Sequence, residues 1–315
     1  YKFQFKYRIF YILILLLIQI IDLAPGINKN FLQKKPIVEK NFLKDPVWSL
    51  VSDNFKNIIS TSISNSSNNF PVISTLLIKE KFNKTNFFRL GRYNREEASI
   101  YRSKLYKDII NKKINYENIY VVDNIDHLRH LKHIYKDSDH GFFLRNNIWL
   151  ILPGHKSHMS ILDKKKLEMI SYKKIKLGEK INIEMNKKNG ILGMGWSKPS
   201  YGRSTKLNGS WTEGYFSSLL FISNDNVNLV KIKVDKIIFE NQDLSEIDIF
   251  INNKKANDIL IKKTKEIHIN LKNEKLKNDV NIITFNIKNP ITPFSLLESV
   301  DGRLLGLLVK EVEFK

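Results

Sequence analysis

The chain has 315 residues, 42% of them hydrophobic, which favours two folded domains over a disordered tail. It contains no cysteine, and this excludes disulfides, thiolate metal sites and a cysteine nucleophile within it. Its formal charge of +20 is spread along the whole sequence without a zinc-finger, basic-zipper or RNA-binding pattern, so no nucleic-acid partner is expected.

Residues 1–25 form the most hydrophobic stretch, with Tyr11 and Gln19 the polar exceptions between Ile9 and Ile21. About 20 apolar residues suffice to cross the hydrocarbon core of a bilayer. The stretch therefore predicts an N-terminal transmembrane helix, and the basic residues before it place everything after about residue 25 outside the cytoplasm. An uncleaved signal peptide and a buried core helix are the alternatives. The sequence does not begin with methionine, and we interpret it as the carboxy-terminal piece of a longer chain.

The next part of the sequence is a membrane-proximal connector, residues 26–56, followed by a small domain, residues 57–160. Within that domain, short apolar runs alternate with helical patterns such as residues 95–114. The candidate strands cover residues 70–75, 87–90, 118–123 and 148–153. Strands that alternate with helices predict an α/β domain with a mainly parallel sheet.

Three histidines at helical spacing follow the third candidate strand: His127, His130 and His133. Neighbours at this spacing lie close enough to share a zinc ion, but no carboxylate completes a metalloprotease-like motif. We interpret the row as a plain surface stripe. The further pair His155 and His158 is an equally weak signal, and we expect no metal site.

From Lys173 onward, apolar and polar residues alternate in seven or eight short runs separated by turn residues. This period predicts an antiparallel β-sandwich or jelly roll over residues 170–315. The predicted fold class is α+β multidomain: an N-terminal transmembrane helix, a small α/β domain with a parallel sheet, and a C-terminal antiparallel sandwich.

The sequence contains no nucleophile elbow, and nothing in it justifies grouping particular serine, histidine and aspartate residues as a catalytic triad. No catalytic residue and no cofactor are therefore predicted. The segment GILGMG, residues 190–195, has the wrong spacing for a dinucleotide loop, and we interpret its glycines as sites of close backbone packing.

An aromatic segment is the best candidate for binding, because flat rings can stack on sugars while charged side chains hydrogen-bond to hydroxyls. Its candidate carbohydrate-binding residues are Trp196, Tyr201, Arg203, Trp211 and Glu213. The alternative is that both tryptophans pack between the two sheets of the sandwich.

The tail contains Asp301 and Arg303 in a loop before the final apolar run. We expect them to form an ion pair that pins this loop. A ligand-facing role is the alternative.

The segments DPVWSLV, LGRYNREEASIYR, GWSKP, GSWTEG and NPITPFSLLESVDGRLLG, in this order, resemble the carboxy-terminal region of a family of bacterial multi-pass membrane proteins. The amino-terminal part of that family is similar to GT-C glycosyltransferases, which use polyprenyl-phosphate sugar donors. The resemblance implies an inner-membrane protein and a terminal jelly roll like those of other envelope glycosyltransferases. It implies a binding role for Trp196, Trp211 and Glu213 and a loop role for Asp301 and Arg303. It identifies no catalytic residue in this sequence.

These observations predict the extracytoplasmic part of a glycosyltransferase-like membrane protein, whose sandwich recognises or positions envelope glycan. Its expected partners are the lipid bilayer and an envelope glycan or polyprenyl-linked sugar. The alternative is a non-catalytic envelope scaffold whose sandwich binds protein partners. A third hypothesis places an enzyme in residues 57–160 and requires a polar cleft at the carboxyl ends of parallel strands.

Overall fold

The computed structural model describes residues 45–51, 55–60, 100, 103–104, 106–108 and 116–315, the last range with gaps at 146, 185–186, 198–208, 224–226, 239–246, 257–258, 263–265, 273–275, 277–278, 294 and 296–301. The chain divides into two compact units between Leu50 and Val51. In the first unit, Pro46–Ser49 form one 3-10 turn. The Asp45 carboxylate caps this turn by accepting a hydrogen bond from the Val47 N–H at 3.0 Å.

All further elements belong to the second unit. Its described helices are α1, Ile125–Ile134, and α2, Ile161–Glu168, together with a 3-10 turn, Lys156–His158, and short helical pieces at 103–104 and 106–108. The strands, numbered in chain order, are β1 Asn57–Ser60, β2 Asn118–Val122, β3 Gly141–Arg145, β4 Ile148–Leu152, β5 Lys173–Ile175, β6 Lys180–Asn182, β7 Trp196–Ser197, β8 Ser210–Glu213, β9 Phe216–Ser223, β10 Leu229–Ile237, β11 Ile247–Ile251, β12 Lys254–Lys255, β13 Ile259–Lys262, β14 Glu266–Asn270, β15 Val280–Ile287 and β16 Leu305–Phe314.

The first sheet has four strands in the order β1-β2-β4-β3. The pair β1 and β2 is parallel, but β2 with β4 and β4 with β3 are antiparallel. The cause is a tight hairpin: two residues separate Arg145 from Ile148, and Asn147 adopts a φ of 63°, which asparagine tolerates better than most residues. Such a short connection forces its strands to run antiparallel, so the prediction of a mainly parallel sheet is wrong.

The C-terminal strands form two packed sheets. One has five strands in the order β12-β11-β15-β9-β5, and the other has seven, with β13-β14-β10-β16-β8-β7 in order and β6 also paired with β16. Val230, Ile232 and Val234 of β10 contribute to the core shared by the two sheets. The alternate residues of β10 are polar, and Lys233 forms an ion pair of 2.8 Å with Glu311 of β16. Period-two alternation thus places one face of β10 in the core, as expected for a half-buried strand.

Helix α1 covers the outer face of the five-stranded sheet. Leu220 and Ile282 on that face are buried and form an apolar cluster that Tyr172 joins. The Tyr172 hydroxyl donates to the Arg129 carbonyl of α1 at 3.3 Å. Because α1 also packs beside β2, it lies between the first sheet and the sandwich and is buried on two sides.

The predicted fold class is wrong as a whole, because the described chain is mostly β-sheet, with three sheets and few helices. The predicted transmembrane segment, residues 1–25, and the candidate strands at 70–75 and 87–90 lie outside the described residues. Among the described helices, none is long and apolar enough to cross a membrane.

Candidate functional site

Trp196, the first candidate sugar-binding residue, lies in β7 and is paired with Thr212 of β8. Its indole Nε1 donates a hydrogen bond to the Ser218 carbonyl at 2.7 Å. The ring meets Phe285 edge-on, with centroids 6.1 Å apart, and only 2% of the side chain is exposed. Trp196 is therefore a packed core residue whose polar atom is satisfied inside the protein.

Trp211 lies one strand away and is also buried, with 3% exposure. It packs with Ile238, Leu305 and Leu308. Glu213, at the end of β8, is 4% exposed. These three candidate residues thus present neither a flat ring nor a carboxylate to solvent, although they lie close together along β7 and β8.

The remaining candidates fall mostly outside the described part of the chain. Tyr201, Arg203 and Asp301 are not among the described residues. Arg303 is described and is half-buried beside the start of β16. The proposed pairing of Asp301 with Arg303 therefore stays a prediction.

The histidine stripe of α1 is buried, so its interpretation as surface is wrong for two of the three residues. His127 is 3% exposed and contacts the Tyr106 hydroxyl at 3.3 Å, and His130 is fully buried. The reason is the second layer: the polar face of α1 packs against the sandwich instead of facing water. In the described residues, no group of three or more metal-binding side chains comes together.

His130 connects α1 to the sandwich. Its Nδ1 accepts a hydrogen bond from the Met194 N–H at 3.3 Å and lies 2.9 Å from the Ser218 hydroxyl. A ring that accepts at Nδ1 carries its proton on Nε2 when neutral. Burial, reinforced by the nearby His133 and His127, lowers the pKa of His130 to about 3, so the ring is uncharged at neutral pH.

Arg129, which no sequence motif singles out, makes the densest set of polar contacts at this junction. It forms an ion pair of 3.0 Å with Asp126, and both side chains are fully buried. The guanidinium also donates to the carbonyls of Leu192 at 2.6 Å, Lys187 at 3.0 Å and Lys188 at 3.1 Å. Arg129 thereby fastens α1 to the chain that enters the sandwich.

A second histidine cluster lies at the other end of α1. His140 is buried, stacks on Tyr135 with ring centroids 4.1 Å apart, and has Nδ1 2.8 Å from the Ser138 hydroxyl. Burial lowers the pKa of His140 to about 4. His155 and His158 lie near it in sequence, with ring centroids 5.3 Å apart. Ser138 and Asp139 both approach the same ring nitrogen of His140, which is not the arrangement of a catalytic triad.

The described surface has one marked apolar feature, on α2. We define the α2 surface as the exposed side chains Ile161, Leu162, Lys165 and Met169, flanked by Lys164 and Lys166. Because each helical residue advances by about 100°, the first four lie within one outward arc. Hydrophobic periodicity does not predict α2, because its exposed apolar residues point away from the protein.

The inward side of α2 is fixed to its neighbours by polar contacts. The Ser160 hydroxyl accepts from the Asp163 N–H at 3.0 Å, and buried Asp163 accepts from the Leu144 N–H at 2.9 Å and from Arg145 at 3.0 Å. At the other end, the Lys132 ammonium donates to the carbonyls of Leu167 and Ile170 at 2.9 and 2.8 Å. A cation at these carbonyls stabilises the helix end, so α2 is held at both termini.

A cleft of about 300 Å³ adjoins the α2 surface. It lies beside the N-terminus of α1, at the carboxyl end of β2. Its apolar lining comprises Ile125, Leu128, Leu144, Trp149, Met169 and Ile170, and Lys166 and Lys188 also border it. Met169 belongs to both the cleft and the α2 surface, so the two form one continuous apolar region with a basic edge.

No model of a known protein family matches this sequence, and no curated protein matches it either.

Proposed function

We propose that the protein is a non-catalytic scaffold whose second unit holds the α2 surface in place as a binding surface. The observation that carries this proposal is that the candidate sugar-binding tryptophans are buried while apolar side chains of α2 are exposed. The tryptophans that a sugar would have to meet are 2% and 3% exposed, whereas Ile161 and Leu162 are 74% and 64% exposed.

The polar junction beneath α1 supports the same function. The Arg129 and Asp126 side chains form an ion pair, Arg129 also donates to backbone carbonyls, and the His130 ring is buried and neutral. These buried contacts hold helix α1 in a fixed position on the sandwich. They give the second unit a firm frame, and a scaffold needs such a frame if it is to present a surface in a fixed orientation.

The link to a GT-C glycosyltransferase-like protein of the envelope stays a prediction. A scaffold role is compatible with it, since a non-catalytic module appended to a membrane enzyme positions that enzyme or its partner. The glycan-recognition variant of this prediction is less favoured, because stacking on a sugar requires an accessible aromatic face.

The test is site-specific photo-crosslinking of the full chain in the cells that produce it. A photoreactive amino acid replaces Leu162 of the α2 surface, or Leu177 in the matched control. Leu177 is 59% exposed and lies between β5 and β6. We expect a discrete adduct, with a protein or with membrane lipid, from position 162 and none from position 177.

Equal adduct patterns at the two positions, or no adduct at either, would contradict the scaffold proposal. A glycan array probed with the full chain tests the competing function. Glycan binding that disappears in a folded Trp211→Phe variant would favour recognition of sugar over the scaffold role.

A further inference from the structure

Large apolar side chains are concentrated on the α2 surface. Among the described residues, six large hydrophobic side chains are exposed, and three of them are Ile161, Leu162 and Met169. Single exposed apolar residues are ordinary on soluble proteins, but adjacent ones on a single helical arc form a contact surface.

The same arc is basic. Lys165 lies between the apolar side chains, and Lys164 and Lys166 flank them, all three exposed. Glu168 is the exposed acidic residue of the helix and lies beside Ile161 at the helical spacing, so lysines outnumber acidic side chains three to one on this arc. Exposed apolar side chains can enter the interface of an anionic bilayer while neighbouring lysines keep their ammonium groups among the lipid phosphates.

We infer that the α2 surface docks on an anionic lipid bilayer, with Ile161, Leu162 and Met169 entering the interface between headgroups and acyl chains. The inference rests on the proposed function and names the partner of the same surface. The lysines then contact lipid phosphates, and the fixed inward side of α2 sets the orientation of the second unit on the membrane.

The position of Lys165 favours a lipid surface over a protein partner. It stands in the middle of the apolar arc, where a protein interface would have to remove its ammonium group from water. The centres of protein interfaces are depleted in lysine for this reason. At a bilayer the same side chain extends its apolar stem along the interface and keeps the ammonium group among the headgroups.

The absence of cysteine in the chain permits a local measurement of docking. The full-length Leu162→Cys variant is labelled with an environment-sensitive nitrobenzoxadiazole dye, and Leu177→Cys serves as the matched control. The two labelled proteins are mixed with vesicles of phosphatidylcholine alone, or of phosphatidylcholine with phosphatidylglycerol. Because the dye reports its own surroundings, attachment of the chain through another segment does not change the reading at position 162.

We expect a blue shift and a rise in emission at position 162 with phosphatidylglycerol vesicles, little change with phosphatidylcholine alone, and no change at position 177. Replacing Lys164, Lys165 and Lys166 by glutamine weakens the response by about 100-fold in lipid concentration, since each lysine near an anionic surface contributes a factor of about five. An unchanged dye spectrum at position 162, or an equal response in the triple variant, would overturn the inference.

The outcomes separate this inference from the proposed function. If the dye at position 162 does not respond to anionic vesicles while crosslinking from position 162 yields a specific protein adduct, lipid docking fails and the scaffold stands. If neither position-162 experiment gives a signal, both proposals fail.

Discussion

Arg129 and Asp126 form an ion pair of 3.0 Å in which both side chains are fully buried, one helical turn apart on α1. Removing two charges from water is costly, and here the cost is offset by three further hydrogen bonds from Arg129 Nη1 and Nη2 to backbone carbonyls. The pair therefore links the helix to the sandwich only while both partners are present.

The first prediction concerns this pair. Replacing Arg129 by methionine leaves the Asp126 carboxylate buried without its cation and removes donors from four backbone carbonyls. We expect the free energy of unfolding to fall by about 3–5 kcal/mol, measured by urea denaturation at neutral pH.

Lys136→Met is the matched control, because Lys136 pairs with Asp279 at 2.5 Å near the same junction, but both side chains are about half exposed. Screening by water limits the loss in that variant to about 1 kcal/mol or less. Equal losses in the two variants would show that burial of the Arg129 pair has no special effect.

The sandwich strands were predictable because their signal is local. In β10, apolar and lysine residues alternate, and Val230 and Ile232 do face the core. Strand β3 was missed, although the two asparagines before Ile148 are a hairpin signal that marks it. Recognising that turn would have shown from sequence that the first sheet contains an antiparallel pair.

The environment of α1 was not predictable from its own residues. A polar stripe looks the same whether it faces water or a second layer, and the partner of His130 is Ser218, 88 positions away. Helix α2 reverses the usual pattern, with Asp163 inside and Leu162 outside, so hydrophobic periodicity gives no help. Its start was visible in principle, since Ser160 and Asp163 have the spacing of a capping box.

The second prediction is a loss of stability in acid. His130 has a pKa of about 3 in the folded state and an ordinary value of 6.5 when unfolded. The contribution of His130 to the free energy of unfolding is therefore fully present above pH 6.5. It declines as the pH falls towards 3, because in that window only the unfolded chain takes up the proton. The decline is about 1.4 kcal/mol per pH unit, or about 2 kcal/mol at pH 5.

Urea denaturation at a series of pH values measures this decline, and His130→Asn isolates the residue responsible. The asparagine oxygen can accept from the Met194 N–H but does not titrate. We expect the variant to be less stable at neutral pH and to have a shallower slope between pH 6.5 and 4. The remaining slope includes His140, whose pKa is shifted in the same direction. An identical slope in wild type and variant would rule out His130 as the cause.

The third prediction compares two glycines with similar backbone conformations. Gly195 has a φ of 82°, and a Cβ atom there would lie 1.8 Å from the Phe216 carbonyl oxygen. Gly178 has a φ of 78° with open space around the same position. Gly178→Ala should cost about 1–2 kcal/mol through backbone strain alone. Gly195→Ala should cost more than about 4 kcal/mol, because the backbone must also move.

Thermal unfolding of the two glycine variants measures the difference. An equal fall in melting temperature in the Gly178→Ala and Gly195→Ala variants would refute the interpretation of GILGMG as a close-packing segment. Gly193 offers an independent check, because a Cβ atom there would lie 2.3 Å from Leu220 and 2.4 Å from the Ser218 hydroxyl.

The last prediction tests whether the tryptophans are core residues in solution. All four, Trp48, Trp149, Trp196 and Trp211, are at most 8% exposed. Native tryptophan emission should therefore be blue-shifted and resist quenching by iodide, and both properties should be lost in denaturant. Trp196→Phe removes the hydrogen bond to the Ser218 carbonyl and leaves a small void, so it should cost about 1–3 kcal/mol. Strong iodide quenching that a glycan suppresses in the native protein would instead place an indole ring at the surface and restore the sugar-binding hypothesis.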